Sequence, residues 1–362
     1  MSDINYQEIA EKLNRKIEER NSYRFYGQIK SVIPALSKFV KAYDIEKVGF
    51  EKVDKQIGEI ENLVLDFLYD LDPELEENVL KVIEDVDHTV MFVSNPKEKA
   101  KESFVALREL NGKRGPLKNS PKVEIGLHPK NNTMGIVVVG HEYGHILSQR
   151  VQQRRNQRTD CIGEIEACFV ERLFADWLLR NNKISKSERD KMNVVWTNNF
   201  LLHSRTICEE VDLLSRLKKN ISAVNLQKIE KELQDNQKFA WIEVLKNRIG
   251  VFINGLDGKE IHGEYEFRYI VGEIVAGALY EDFKKEPTKT IERFKEYLAH
   301  NAEYEFFKKE QVLHDGKVVE KVVFDKKECT KCFSALLGEN FKEKLSNAIK
   351  KLENSFEKTK TA

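Results

Sequence analysis

From residue 130 to residue 286 the chain contains no proline, although four of its seven prolines (Pro96, Pro116, Pro121 and Pro129) fall between residues 96 and 129. Proline lacks a backbone N–H and breaks helix interiors, so a long proline-free stretch rich in Leu, Glu, Lys and Ala predicts successive helices. Residues 5–110 also read as mostly helical. Ile57, Ile60, Val64, Phe67 and Leu68 are spaced for one helix face, with Glu59, Glu61 and Asp66 between them. Asp72-Pro73 and Asn95-Pro96 mark turns. The expected class is therefore mainly α.

The segment from Asn111 to Pro129 breaks the helical rhythm. It carries Gly112, Gly115, Pro116 and Pro121, then Val123-Glu124-Ile125-Gly126-Leu127, which reads as a short strand. Thr133 is placed to cap a helix entering at Ile136 to Val139. The picture is a small edge β-sheet beside that helix. The chain divides into an N-terminal helical region (1–110), a central domain (111–290) and a C-terminal helical region (291–362), whose Lys/Glu-rich end after Glu353 is expected to fray.

Composition narrows the function classes. Lys+Arg and Asp+Glu are both 60 in 362 residues, so no overall field favours nucleic acid or an anionic membrane. Lysine pairs such as Lys218-Lys219 and Lys350-Lys351 read as solvated helix faces. No stretch approaches a membrane span, and the polar N-terminus reads as helix rather than signal peptide. Five cysteines, an odd number, make no disulfide scaffold, which fits a reducing cytoplasm.

One short segment bears chemistry. In His141-Glu142-Tyr143-Gly144-His145 the histidines are i and i+4, so on a helix both imidazoles leave one face about a turn apart. That HExxH spacing lets two neutral nitrogens reach one Zn²⁺ at ~2.0–2.1 Å. Glu142, one residue round, is positioned as general base for a water whose pKa the ion lowers to roughly 7. Gly140 and Gly144 keep the helix slim enough for another backbone or a substrate to approach. The alternative is a helix with two incidental histidines. The apolar run Ile136 to Val139 and Ile146-Leu147 makes this helix buried, however, and two histidines and a glutamate in a buried helix need a reason.

A third protein ligand is required. The segment Asp160 to Arg180 reads as a helix apolar nearly all round, so it is central. At 100° steps Glu164, Ala167, Cys168, Glu171 and Ala175 share one stripe, mixing acids with small residues suited to packing on the glycine-containing motif helix. Glu166 groups with Val170, Leu173 and Trp177. Glu164 is the expected third ligand, with 18 residues between it and His145, and Glu171 an outer acid holding a ligand histidine. Glu166 and Glu171 are the alternatives.

Downstream, His262, Tyr265 and Tyr269 succeed one another at about one helical turn. A Tyr hydroxyl or His N–H aimed at the oxyanion of peptide hydrolysis would stabilise its transition state; an aromatic core stripe is the competing reading. Cys329 and Cys332 form a lone CxxC explained by i, i+3 spacing on a helix.

Three separated segments together resemble the zinc oligopeptidases of the oligoendopeptidase F and thimet-oligopeptidase type, HExxH peptidases with a glutamate third ligand. Lys113-Arg114-Gly115 and the 123–127 strand resemble the family's loop and strand ahead of its His-Glu-x-Gly-His helix. Glu164-Ile-Glu-Ala167-Cys-Phe-Val-Glu171-Arg-Leu is similar to its third-ligand helix. Tyr265-x-Phe267-x-Tyr269-x-x-Gly272-x-x-x-Ala276 is similar to its downstream tyrosine-rich helix. His262 stands about one turn from the family's histidine. The resemblance covers roughly residues 111–290 and implies a helical, zincin-like metallopeptidase with one Zn²⁺. It implies His141, His145 and Glu164 as ligands, Glu142 as base, Tyr265 as oxyanion donor and short peptides as substrates. Two other classes compete: a regulator acting on one specific protein partner, to which Glu164-Ile165-Glu166-Ala167 lends some support, and a helical module whose zinc is structural. Oligomeric state is not indicated.

Overall fold

A computed structural model describes residues 6–8, 10–11, 32–53, 55–93, 103–109, 121–127, 130–148, 162–219, 222–235, 264–304, 306–314 and 317–359. It is mostly helical, with one small three-stranded sheet and one hairpin. Among the described residues no helix is long and apolar enough to cross a membrane.

The chain forms two compact units. The first joins Met1–Ala42, His203–Phe267 and Phe307–Asp325; the second joins Tyr43–Leu202, Arg268–Phe306 and Lys326–Ala362. In the first unit, α1 (Ile33–Ala42) buries Leu36 and Phe39. Strands β4 (Phe307–His314) and β5 (Lys317–Phe324) pair antiparallel as a hairpin. The region read as helical from 291 onward therefore contains a hairpin, whose sequence signal is the Asp315-Gly316 dipeptide between two β-prone runs.

The second unit holds the motif helix. Its first layer is α2 (Ile57–Leu71) and α3 (Pro73–Ile83). Glu59 Oε2 accepts the Gln56 N–H at 2.8 Å, and Asp72 Oδ1 accepts the Glu74 N–H at 2.9 Å, so both helix starts are capped by acids. α2 buries Ile60, Leu63, Val64, Phe67 and Leu68, the face expected from spacing.

A sheet follows, in the order β1 (Thr89–Val93), β3 (Pro121–Leu127), β2 (Phe104–Glu109), with β1 parallel and β2 antiparallel to β3. The strand anticipated at 123–127 is thus central rather than an edge. Its two neighbours lie inside the stretch read as helical. Runs of five and six residues are too short for periodicity to separate strand from helix, and pairing with β3 decides their state.

Helix α4 (Thr133–Ile146) packs on β2 and β3 and carries the HExxH residues. Its cap is Asn132 rather than Thr133: Asn132 Oδ1 accepts the Gly135 N–H at 2.9 Å, while the Thr133 N–H donates to Glu51 O at 3.1 Å. Helix α5 (Ile165–Arg180) lies against α4 and is buried on nearly every side. Along the chain, helices α6 (Lys186–Lys219), α7 (Ala223–Asp235, within the first unit) and α8 (Glu264–Lys285) follow. α9 (Pro287–His300), α10 (Lys326–Leu337) and α11 (Phe341–Thr359) complete the second unit. α11 continues past Glu353, where fraying was expected. Cys329 and Cys332 lie on α10, where burial pushes the Cys329 thiol up to about 12 and Cys332 well above its ordinary value, so neither is a ready thiolate.

Candidate metal centre

Two glycines let α5 approach the motif helix. A Cβ on Gly144 would lie 2.6 Å from Ala167 Cα, and one on Gly140 would lie 2.5 Å from a Phe174 ring carbon. The small-residue stripe read from the sequence is therefore the packing seam between α4 and α5. Phe174 also meets Phe67 at 5.2 Å between ring centroids, tying the seam to α2. Tyr143, fully buried between the two histidines, donates its hydroxyl to Glu61 Oε1 at 2.9 Å.

The seam brings three donors together. His141 Nε2 and His145 Nε2 lie 3.3 and 3.5 Å from Glu164 Oε2. These three atoms lie within 4.8 Å of one another. The rings sit edge to face, 4.9 Å apart. Glu164 is the N-cap residue of α5, its carbonyl accepting the first helical bond from Cys168 N–H at 3.0 Å. Its side chain is 2 % exposed, and Oε2 has no hydrogen-bond partner. A buried carboxylate oxygen without a hydrogen bond, facing two imidazole nitrogens, is costly unless a cation sits among them. Two histidine nitrogens and one carboxylate form a donor set that suits Zn²⁺, which takes such atoms at about 2.0–2.2 Å.

Electrostatics describe the same cluster. Burial opposes charge on His141, but the carboxylates of Glu164 and Glu171 outweigh it and raise its pKa well above the usual histidine value. Burial pushes the Glu164 carboxyl up, yet His145, His141 and Arg268 outweigh that and hold it well below the usual carboxylate range. Glu142, 5 % exposed, is raised by burial, with His145 and His141 drawing it partly back. A raised carboxylate is a stronger proton acceptor than an exposed one.

Glu171 stands on the far side of His141. Its Oε2 lies 2.9 Å from His141 Nδ1, and its Oε1 accepts the Trp196 indole N–H at 2.8 Å. A proton held on Nδ1 by Glu171 leaves Nε2 with its lone pair toward Glu164, the tautomer a metal ligand needs. Behind this lies an ion pair of Arg172 and Glu273, with the Arg172 guanidinium 4.4 Å over the Trp196 ring. Burial, opposed by Arg172, pushes the Glu273 carboxyl up to about 7. Glu166 turns elsewhere, its Oε2 accepting the Tyr297 hydroxyl at 3.2 Å. Cys168 groups with His141 and Glu171, not with His145 and Glu164. Burial first, then Glu273, Glu171 and Glu164, hold its thiol protonated.

Helix α8 reaches this site through Gly272. A Cβ there would lie 2.7 Å from Glu164 Cβ and 3.0 Å from its carbonyl oxygen. Four residues earlier, Arg268 Nε lies 3.1 Å from Glu164 Oε1. The sequence reading missed Arg268, although i, i+4 spacing puts it on the face of Gly272. Trp196, Arg172 and Glu273 carried no comparable signal. Tyr269 is half-buried, with the Arg268 guanidinium 5.5 Å from its ring centroid. His262 lies outside the described residues, and Tyr265 occupies the first turn of α8 with its side chain outside those described.

Gly272→Ala is expected to push α8 off Glu164, because both contacting groups are rigid. Overpacking of this kind costs about 1–3 kcal/mol. Zinc affinity, measured by competition with a chelating dye, should fall roughly tenfold for each 1.4 kcal/mol passed to the site. Unchanged affinity would mean that Glu164 is not held by this contact.

No family model matches the sequence, and no curated protein matches it. Two solved structures share its chain path in part. A protein assigned as an oligoendopeptidase F from Bacillus anthracis str. Ames is 14 % identical with a TM-score of 0.45, covering 98 % of this chain and 57 % of that one. PZ peptidase A, solved with an inhibitor, is 12 % identical with a TM-score of 0.48, covering 99 % of this chain and 59 % of that one. The chain spans less than two thirds of the length of either.

Proposed function

We propose that the chain is a zinc-dependent peptide hydrolase in which His141 Nε2, His145 Nε2 and Glu164 Oε2 hold one ion and Glu142 is the general base. The observation that carries this reading is the convergence of the two imidazole nitrogens on Glu164 Oε2, a buried carboxylate oxygen without a hydrogen bond. Bound Zn²⁺ supplies Lewis acidity, acidifying water and polarising a carbonyl. Glu142 accepts the proton of the attacking water as its oxygen bonds to the carbonyl carbon, and returns it to the departing amine nitrogen as the C–N bond breaks. Glu171 holds the His141 ring and its tautomer. Tyr265 is the hydroxyl donor that its motif implies for the carbonyl oxygen. Short peptides are the substrate class, nucleic acid and membranes are not partners, and the cytoplasm suits the cysteines, of which Cys168, Cys329 and Cys332 are thiols outside any disulfide.

The test is metal removal. The purified chain is expected to carry one zinc per molecule, to cleave a quenched short-peptide library, to lose cleavage on chelation and to regain it with one equivalent of zinc. Equal cleavage by a metal-free preparation would overturn the proposal.

A further inference from the structure

Trp196 lies in the first half of α6, is 2 % exposed, and carries an indole nitrogen that donates but cannot accept. Burying that N–H requires one acceptor, and a backbone carbonyl would serve. Here the acceptor is Glu171 Oε1 at 2.8 Å, while Glu171 Oε2 lies 2.9 Å from His141 Nδ1. Each carboxylate oxygen therefore meets one ring nitrogen, and the indole fixes the rotation of a group whose terminal torsion is otherwise broad and two-fold. The indole is itself held. The Arg172 guanidinium lies 4.4 Å and that of Arg189 4.7 Å from its ring centroid. Arg172 pairs with Glu273, and Arg189 is anchored by Asp176 Oδ1 at 2.5 Å, Asn193 Oδ1 at 2.9 Å and the Tyr280 hydroxyl at 3.1 Å. Two fixed cations beside one ring hold the indole plane, and with it the direction of the N–H.

We propose that Trp196 is a positioning residue that sets the donor–acceptor sense of the Glu171–His141 contact, and through it keeps the His141 Nε2 lone pair turned to the metal. The inference rests on the zinc-hydrolase reading for that ion. A donor-only indole makes an acceptor of whichever atom of residue 171 faces it. A carboxylate has a second acceptor oxygen for His141, so Nδ1 carries the proton and Nε2 the lone pair. An amide at position 171 has one acceptor alone. The indole takes it, the NH₂ turns to His141, Nδ1 accepts, and the neutral ring carries its proton on Nε2, where zinc has to bind. Turning the amide over would set two buried donors against each other. Without the indole N–H the amide turns over at no such cost, and its oxygen meets the Nδ1 proton.

The test uses the full-length chain as wild type, Trp196→Phe, Glu171→Gln and the double variant, with zinc affinity measured at one pH by competition with a chelating dye. Phenylalanine keeps an aromatic ring beside the guanidiniums and removes the N–H. Trp196→Phe is expected to weaken zinc about tenfold and Glu171→Gln about 10²-fold, the range typical when an outer partner of a ligand histidine is lost. The double variant is expected to bind zinc about tenfold more tightly than Glu171→Gln alone. A tryptophan that serves packing alone would weaken zinc in both backgrounds or in neither, so the change of sign is a readout that a structural role does not give. Equal zinc affinity in wild type and Trp196→Phe overturns the proposal, as does a double variant no tighter than Glu171→Gln. Should the phenylalanine variants not fold, nitrogen NMR of labelled histidine in zinc-free Glu171→Gln, with the ring neutral, reads the same amide. A proton on His141 Nε2 supports the proposal, and one on Nδ1 overturns it. Zinc affinity also keeps the two readings apart. A chain that shows the sign change but cleaves no peptide refutes the hydrolase reading and leaves Trp196 its role, whereas a chain that cleaves peptides without the sign change refutes the role of Trp196 alone.

Discussion

Glu142→Gln is expected to retain one zinc ion per chain and to lose about 10³- to 10⁴-fold in kcat on a quenched peptide. General-base catalysis contributes up to about 10⁴-fold, and Gln keeps the size of the side chain while removing its basicity. Glu142 is not among the three converging donor atoms, so metal content should not follow activity. Its burial raises the carboxyl, which suits a group that must take a proton and return it within one turnover. Zinc loss in this variant would mean that Glu142 is a ligand. Equal turnover would place the base elsewhere. A wild type that holds zinc but cleaves no library peptide would favour the regulator or the structural-zinc module over the hydrolase.

Glu164→Ala is expected to purify without stoichiometric zinc, a larger loss than the ~10- to 100-fold typical when an outer partner of a ligand is removed. The substitution takes away the one carboxylate that faces both imidazoles, and leaves Arg268 beside them without its counter-charge. Removing one member of a buried charged pair commonly costs about 3–5 kcal/mol, so thermal stability should fall as well. Chelator competition and calorimetric melting on the same preparation separate the two effects. Full zinc occupancy would mean that Glu164 is not the third ligand and would reopen Glu166 and Glu171, each of which now has another partner.

The mainly helical class and the meeting of His141, His145 and Glu164 were legible in the sequence, for physical reasons. His141, Glu142 and His145 declare themselves because helical spacing alone puts two imidazoles on one face. Glu164 and Glu171 followed because a buried helix with acids among small residues must meet something that tolerates both, and Gly140 and Gly144 supply the room. Asn132 displaced Thr133 as the cap because two polar residues compete at that helix start, and the chain around Glu51 engages the threonine. Strands β1 and β2 stayed hidden because their state is fixed by pairing with β3, a long-range property no local window contains. Arg268 escaped notice because a lone arginine on a helix is ordinary until the carboxylate it meets is known to face two histidines.

Crystals of the zinc-loaded protein, measured at and below the zinc absorption edge, test the central claim most directly. One anomalous peak is expected within about 2.0–2.2 Å of His141 Nε2, His145 Nε2 and a Glu164 carboxylate oxygen. A peak on the opposite side of the His141 ring, among Nδ1, Cys168 and Glu171, or no ordered zinc at either place, would contradict it.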